Sequence, residues 1–213
     1  MSSARVNLLN QERLNRSVSR SVALFSWEYP LPNSFITDLG YLVSSIASGL
    51  RAIGLDVHVV VPGNGDDSDD RLGIDVLRLG MDVRDHPNVI AYGLSLPAQI
   101  AKKLPYLLGK RVDVVHGFEW GGCLMALAYK LLFGGSKLIC SVLSTEYERG
   151  DPRSSNLSAS IASIEEYVFS QSDELLIHSK PAHSSMSSNY TIKSPMLAVE
   201  DAPLDTILEV YAL

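Results

Sequence analysis

From residue 21 to residue 178 the chain alternates between short, almost wholly apolar runs and longer stretches of helical periodicity. Few folds accommodate that pattern. Residues 21–26 (SVALFS) are nearly continuous in apolarity, the texture of a strand buried on both faces. Apolar side chains then recur at Leu39, Leu42, Val43, Ile46, Leu50 and Ile53, a spacing that predicts a helix over 38–53. Thr37 or Asp38 suits its start and Gly54 its end. Residues 56–61 (DVHVVV) form the next apolar run, closed by Pro62. Strand, helix and strand within about 40 residues make a βαβ unit, which implies a parallel sheet.

The alternation continues. Strands are predicted at 74–79, 112–116 (VDVVH), 137–142 (KLICSV) and 174–178 (ELLIH). Between them lie a helix at 96–108, interrupted or kinked at Pro105, and a strongly apolar helix at 120–133 ended by Gly134 and Gly135. An amphipathic helix follows at 159–169 and a short serine-rich one at 180–189. Residues 81–93 are weakly patterned and 144–157 read as a polar loop. Beyond Pro195 the pattern fades, with a last amphipathic helix at 203–213. The fold class is therefore α/β: a single Rossmann-like, open, mostly parallel sheet with helices on both faces and right-handed crossovers. Ligands of such sheets sit beyond the carboxyl ends of the strands. Segments 27–37, 117–120 and 144–150 project there.

Composition narrows the class. A chain of 213 residues, 46% hydrophobic, supports one sizeable core. A formal charge of −6 argues against a general nucleic-acid binder. No apolar run reaches the roughly 18–20 residues that span a bilayer. The N-terminus has no apolar leader core, so a cytoplasmic location is expected. Residues 1–20 read as a polar tail, with Arg5, Arg13, Arg16 and Arg20 against Glu12. Residues 64–70 (NGDDSDD) read as a solvated acidic turn, lacking the glycine and terminal glutamate placement of a calcium loop. Cys123 and Cys140 have no CxxC partner and read as buried hydrophobes. No metal site is expected.

Four stretches in order carry a family resemblance. SWEYPLPNSFITDLGYLVSSIASGLRAIGLDVHVVVP (26–62) resembles the opening of the starch and glycogen synthases and related retaining glycosyltransferases. DVVHGFEWGGCLMALAYK (113–130) is similar to their DVVHAHDW segment and the helix after it. KLICSVLSTEYERGD (137–151) resembles the strand ending in a T-x-H-N-like loop, and IEEYVFSQSDELLIHSKPAHSSM (164–186) the stretch that closes the first domain. The resemblance implies half of a GT-B fold, in which two Rossmann-like domains face across a cleft. Residues 21–193 would form the first domain, and 194–213 an extension at the junction where the second normally starts, with a helix packing back.

The function this implies is acceptor-side glycosyltransferase, inactive alone. A donor-binding partner chain would complete it and transfer a hexosyl unit from a nucleotide sugar to a carbohydrate acceptor. The alternative is a degenerate, non-catalytic homologue that binds glycan or regulates a full-length synthase. No cofactor is implied, the nucleotide sugar being a substrate. Candidate substrate-binding residues are Glu28, Asp38, His116, Glu119, Trp120, Thr145, Glu146 and Tyr147. Catalytic residues are not assigned. The departures are specific. The family's glycine pair and preceding lysine fall at 35–38 (FITD), where an aspartate would repel a phosphate. Phe118 replaces the second histidine of HAHDW, and Thr145, Glu146 and Tyr147 stand where the family has His-Asn. Glu166 and Glu174 match the family's E-x7-E spacing, but in the wrong domain, and read as chance.

Overall fold

The structure is a computed structural model. It describes residues 20–30, 36–63, 73–80, 83–107, 111–199 and 203–211. The acidic turn, the tail through residue 19 and Phe35 of the FITD stretch lie outside the described residues.

Among the described residues, seven strands form one all-parallel sheet. They are β1 (Ser21–Phe25), β2 (Asp56–Val61), β3 (Asp75–Arg78), β4 (Val114–Phe118), β5 (Lys137–Val142), β6 (Glu174–Ile177) and β7 (Met196–Ala198). Their spatial order is β3-β2-β1-β4-β5-β6-β7. This is the Rossmann arrangement with one strand added. The helices are α1 (Asp38–Ala52), α2 (Val89–Leu107), α3 (Glu119–Phe133), α4 (Glu146–Arg149), α5 (Asn156–Ser170), α6 (Lys180–Asn189) and α7 (Pro203–Tyr211).

Strand alternation divides the core between the two faces of the sheet. Ala23 and Phe25 of β1 face one side, in a cluster with Leu96 of α2, Tyr129 of α3 and Phe169 of α5. Val22 and Leu24 face the other, with Val43 and Ile46 of α1 and Ile207 and Val210 of α7. The final helix thus covers the same face as α1. Lys137 Nζ ties it down by donating to the Val210 carbonyl.

Helix boundaries follow local hydrogen bonding. Thr37 Oγ1 accepts from Gly40 N at 3.0 Å and opens α1. Helix α2 starts at Val89 rather than 96, because Asn88 Oδ1 accepts from Ala91 N at 2.9 Å and a buried stripe runs through Tyr92, Leu96, Ile100 and Leu104. Pro97 and Pro105 both lie within it. The stretch expected as a polar loop holds α4, where Glu148 Oε2 accepts from Thr145 N at 2.7 Å, and the start of α5, where Ser155 Oγ accepts from Ser158 N at 3.3 Å. Strand β4 runs to Phe118, two residues past the apolar run as read from sequence. Gly117 lets α3 press against it: a Cβ there would meet Cys123 Cα at 2.3 Å. Among the described residues, no helix is long and apolar enough to cross a membrane.

Candidate functional site

Strand β1 lies between β2 and β4, so consecutive crossovers leave in opposite directions from its two sides. This topological switch point opens a crevice at the carboxyl ends. A cleft of about 530 Å³ lies there. Its floor is aromatic. Trp27, just after β1, packs edge-on to Trp120 at 5.0 Å between ring centroids and stacks on Tyr92 at 5.6 Å. Trp120 and Tyr92 are each 6% exposed, and Trp27 is half-buried. Gly121 makes room for the Trp27 indole, which a Cβ there would approach to 1.9 Å.

The rim is polar, with Glu28, Glu119, Ser144 and Arg149. Glu119 is the one described non-glycine residue at positive φ, 55°. That left-handed turn between β4 and α3 aims its carboxylate across to the loop after β5. Oε1 accepts from Leu143 N at 2.7 Å and from Ser144 N at 3.3 Å, and Oε2 accepts from Arg149 Nη1 at 2.8 Å. Arg149 Nη1 also donates to Ser144 O and Oγ, at 2.9 and 2.7 Å. Arg149 Nη2 donates to Glu165 Oε1 at 2.5 Å, and Nε lies 3.6 Å from Glu146 Oε2.

Three carboxylates therefore surround one guanidinium. Burial pushes the Glu119 and Glu165 carboxyls above the usual range, against the hydrogen bonds and the Arg149 charge that pull them down. Burial opposes the charge on Arg149, yet Glu165 and Glu119 outweigh it and raise the Arg149 pKa. Glu165, fully buried, also accepts from Glu146 N at 2.8 Å and from the Tyr190 hydroxyl. Burial and Glu165 hold that phenol protonated.

Residues 39–189, more than half of the chain, match the family model described as glycosyl transferase 4-like domain. The chain belongs to that family. Among solved structures, this glycosyltransferase-type domain is similar to sucrose-phosphate synthase from Thermosynechococcus elongatus, at a TM-score of 0.69 and 11% identity. That match covers 91% of this chain and 53% of the synthase chain, so the domain spans about half of it. A shorter chain of the same synthase matches at a TM-score of 0.65 and 12% identity, covering 91% of this chain and 98% of that one. The fold is accordingly that of a GT-B half. No curated protein matches the sequence.

Of the residues singled out in the sequence of this glycosyltransferase domain, the cleft gathers Glu28, Glu119 and Trp120. Glu28 is exposed, and its Oε2 accepts from Thr37 Oγ1. Asp38 is exposed on the first turn of α1 and does not line the cleft. His116 is not brought to the cleft either. It is fully buried on the α7 face, with Nδ1 2.6 Å from Tyr211 Oη and Nε2 2.8 Å from Ser141 Oγ. Phe118 stacks on it at 4.3 Å and is equally buried.

Thr145, Glu146 and Tyr147 stand behind the rim. Thr145 is buried against Ser185, with 2.6 Å between hydroxyls. Glu146 accepts from Ser158 Oγ at 2.6 Å, and Tyr147 packs edge-on to Tyr190. Glu166 accepts from Thr191 N at 2.8 Å and Glu174 pairs with Lys137 at 2.6 Å, both away from the cleft. Trp27, Tyr92, Ser144 and Arg149 were missed as site residues in the sequence reading. Trp27 and Arg149 lay within the segments expected at strand ends, but nothing in their spacing distinguished them. Tyr92 lay in the weakly patterned stretch.

One group with metal-ligand chemistry exists among the described residues: Asp56, His58 and Asp75. It sits at the amino ends of β2 and β3, opposite the cleft. The His58 ring spans the two acids, with Nε2 3.6 Å from Asp56 Oδ2 and Nδ1 3.1 Å from Asp75 Oδ2. One potential ligand atom from each of the three lies within 4.8 Å of the others, so the group has the spacing to hold a cation, although none was expected from the sequence. Cys123 and Cys140 are free and buried in the core.

Proposed function

We propose that this domain is the acceptor side of a GT-B glycosyltransferase and holds a carbohydrate in the cleft between β1 and β4. The observation that carries the reading is the aromatic floor under a polar rim at the switch point. Sugar rings offer apolar C–H faces to aromatic surfaces and hydroxyls to their edges, and this cleft has groups for both. Trp27 is the half-buried ring available for stacking. The Glu28 carboxylate accepts from a sugar hydroxyl, while Arg149 and Ser144 supply donors. Glu119 is a positioning residue, since its oxygens already hold the Leu143–Ser144 backbone and Arg149.

The reaction in this reading is hexosyl transfer from a nucleotide sugar, with a separate donor-binding half completing the site. A cytoplasmic setting belongs to the same proposal. Calorimetry of the purified chain with a maltooligosaccharide, UDP-glucose and ADP-glucose tests it. Oligosaccharide binding without nucleotide-sugar binding is the expected result. Binding of neither would contradict it.

The second reading, a non-catalytic homologue that binds glycan or regulates a synthase, rests on the departures near the cleft. Thr37 and Asp38 occupy the start of α1 where the family has small glycines, and Phe118 is buried against His116 where the family has a histidine. Reconstitution with a donor-binding half separates the two readings: sugar transfer supports the split enzyme, and a folded complex without transfer supports the regulator.

A further inference from the structure

Asp56, His58 and Asp75 are gathered by the sheet itself. Asp56 and His58 stand two residues apart on β2, so their side chains share one face. Asp75 is the register partner of His58 on β3, and paired residues of neighbouring strands point the same way. Further along the two strands that face carries Val60 and Leu77, in the core cluster that holds Leu96 and Ile100 of α2. His58 sits where this core gives way to solvent. It is 5% exposed, while the side chains of Asp56 and Asp75 are 32% and 54% exposed.

The arrangement calls for a cation. A neutral imidazole has one N–H and one lone pair, and a carboxylate only accepts. Both His58 nitrogens are buried, and each faces a carboxylate. In either tautomer, one lone pair is turned towards carboxylate oxygen. A positive ion converts that repulsion into attraction, whether it is a second ring proton or a metal. The separation of 3.6 Å between Nε2 and Asp56 Oδ2 is too long for a proton to close as a hydrogen bond. Two ligands of one tetrahedral metal ion stand about 3.3–3.6 Å apart. One atom from each of the three residues already lies within 4.8 Å of the others, and the exposed Asp75 carboxylate needs only a small rotation to close the set.

We infer that Asp56, His58 and Asp75 bind one divalent transition-metal ion of the zinc class, which clips β3 to β2. Two carboxylates and a neutral imidazole together neutralise a divalent ion. The imidazole nitrogen favours zinc over magnesium or calcium, which take oxygen ligands. Three protein ligands leave a fourth position for water on the exposed Asp75 side. The ion is structural rather than catalytic, because the cleft lies at the opposite, carboxyl ends of the strands. Its place explains its use: β3 is a four-residue strand at one edge of the described sheet, and a cross-strand clip fixes it there. This inference does not depend on the acceptor reading.

The test is a titration of the full, untagged, chelator-treated chain with zinc, followed by calorimetry and by NMR of the His58 ring nitrogens. One zinc per chain, a saturable shift of those nitrogens and a raised denaturant midpoint are expected, since an ion bound only by the folded state stabilises it. Asp75→Asn should weaken binding at least about tenfold, as loss of a charged ligand implies. Asp75→Glu, which keeps the carboxylate, should bind more tightly than Asp75→Asn, separating loss of a ligand from damage to the fold.

Absence of saturable binding overturns the site. So does binding undiminished in Asp75→Asn, which places the ion elsewhere. A His58 ring that carries two protons and does not respond to zinc assigns the proton bridge instead. Magnesium or calcium binding as tightly as zinc rejects the zinc class.

Discussion

Arg149 Nη1 lies 2.8 Å from Glu119 Oε2, and this pair couples the end of β4 to the loop after β5. Glu119 makes that contact from a left-handed backbone conformation, which costs energy for a residue with a side chain. The carboxylate compensates by satisfying two backbone donors and one guanidinium. The rim of the cleft is therefore set by one residue.

Glu119→Ala should destabilise the domain by about 2–4 kcal/mol, because it strands the amides of Leu143 and Ser144 and leaves Arg149 without one of its carboxylates. Denaturant unfolding measures this. Glu119→Gly relaxes the backbone strain but keeps the same polar loss, so it should recover only part of the deficit. Full recovery would mean that strain, not the carboxylate, dominates.

Acid should weaken the fold through two buried histidines. Burial lowers the His116 pKa and brings that of His178 from 6.5 to about 4. Below pH 6.5 the unfolded chain takes up protons that the folded chain refuses, so stability present above 6.5 drains away as pH falls towards 4. For His178 the full shift is worth up to about 3 kcal/mol. The raised carboxyls of Glu119 and Glu165 act in the opposite sense: their contribution is present below the ordinary carboxylate value and lost as pH rises through their elevated pKa values. His178→Asn isolates one histidine. Its unfolding free energy should fall less steeply between pH 6.5 and 4 than that of the parent, and an identical slope would reject the assignment.

Tyr211→Phe should cost about 1–2 kcal/mol. The phenol oxygen is 2.6 Å from His116 Nδ1, both residues are buried, and the ring itself remains in the variant. A stability unchanged by the substitution would show that the hydroxyl contributes nothing net.

Two glycines around the turn into α3 should respond differently. At Gly117 an added Cβ meets the backbone of Cys123 at 2.3 Å, which cannot yield, so Gly117→Ala should fail to fold or lose much of its stability. At Gly121 the obstacle is the Trp27 side chain at 1.9 Å. Gly121→Ala should fold with Trp27 displaced and the cleft misshapen, read as a changed near-ultraviolet circular dichroism spectrum and weaker oligosaccharide binding.

The fold was legible because parallel strands buried on both faces must be apolar throughout, and SVALF, DVHVVV and KLICSV have no other comfortable home. What escaped notice depended on side chains rather than on periodicity. The early start of α2 rests on Asn88, and α4 on Thr145 and Glu148. Strand β7, with all three residues exposed, has no apolar signal. The site was half legible. Glu28, Glu119 and Trp120 follow directly from strand ends. His116 shares β4 with the cleft but points to the other face, a consequence of the two-residue strand period that a motif match does not resolve. Arg149 was hidden because its partners Glu119 and Glu165 are distant in sequence.

The most direct test uses the chain's own tryptophans. It has two, Trp27 and Trp120, and both line the cleft. Titration with a maltooligosaccharide should change their fluorescence saturably, and Trp27→Phe should bind several-fold more weakly while remaining folded. A flat titration, or affinity unaffected by Trp27→Phe, would contradict a carbohydrate acceptor seated on this aromatic floor.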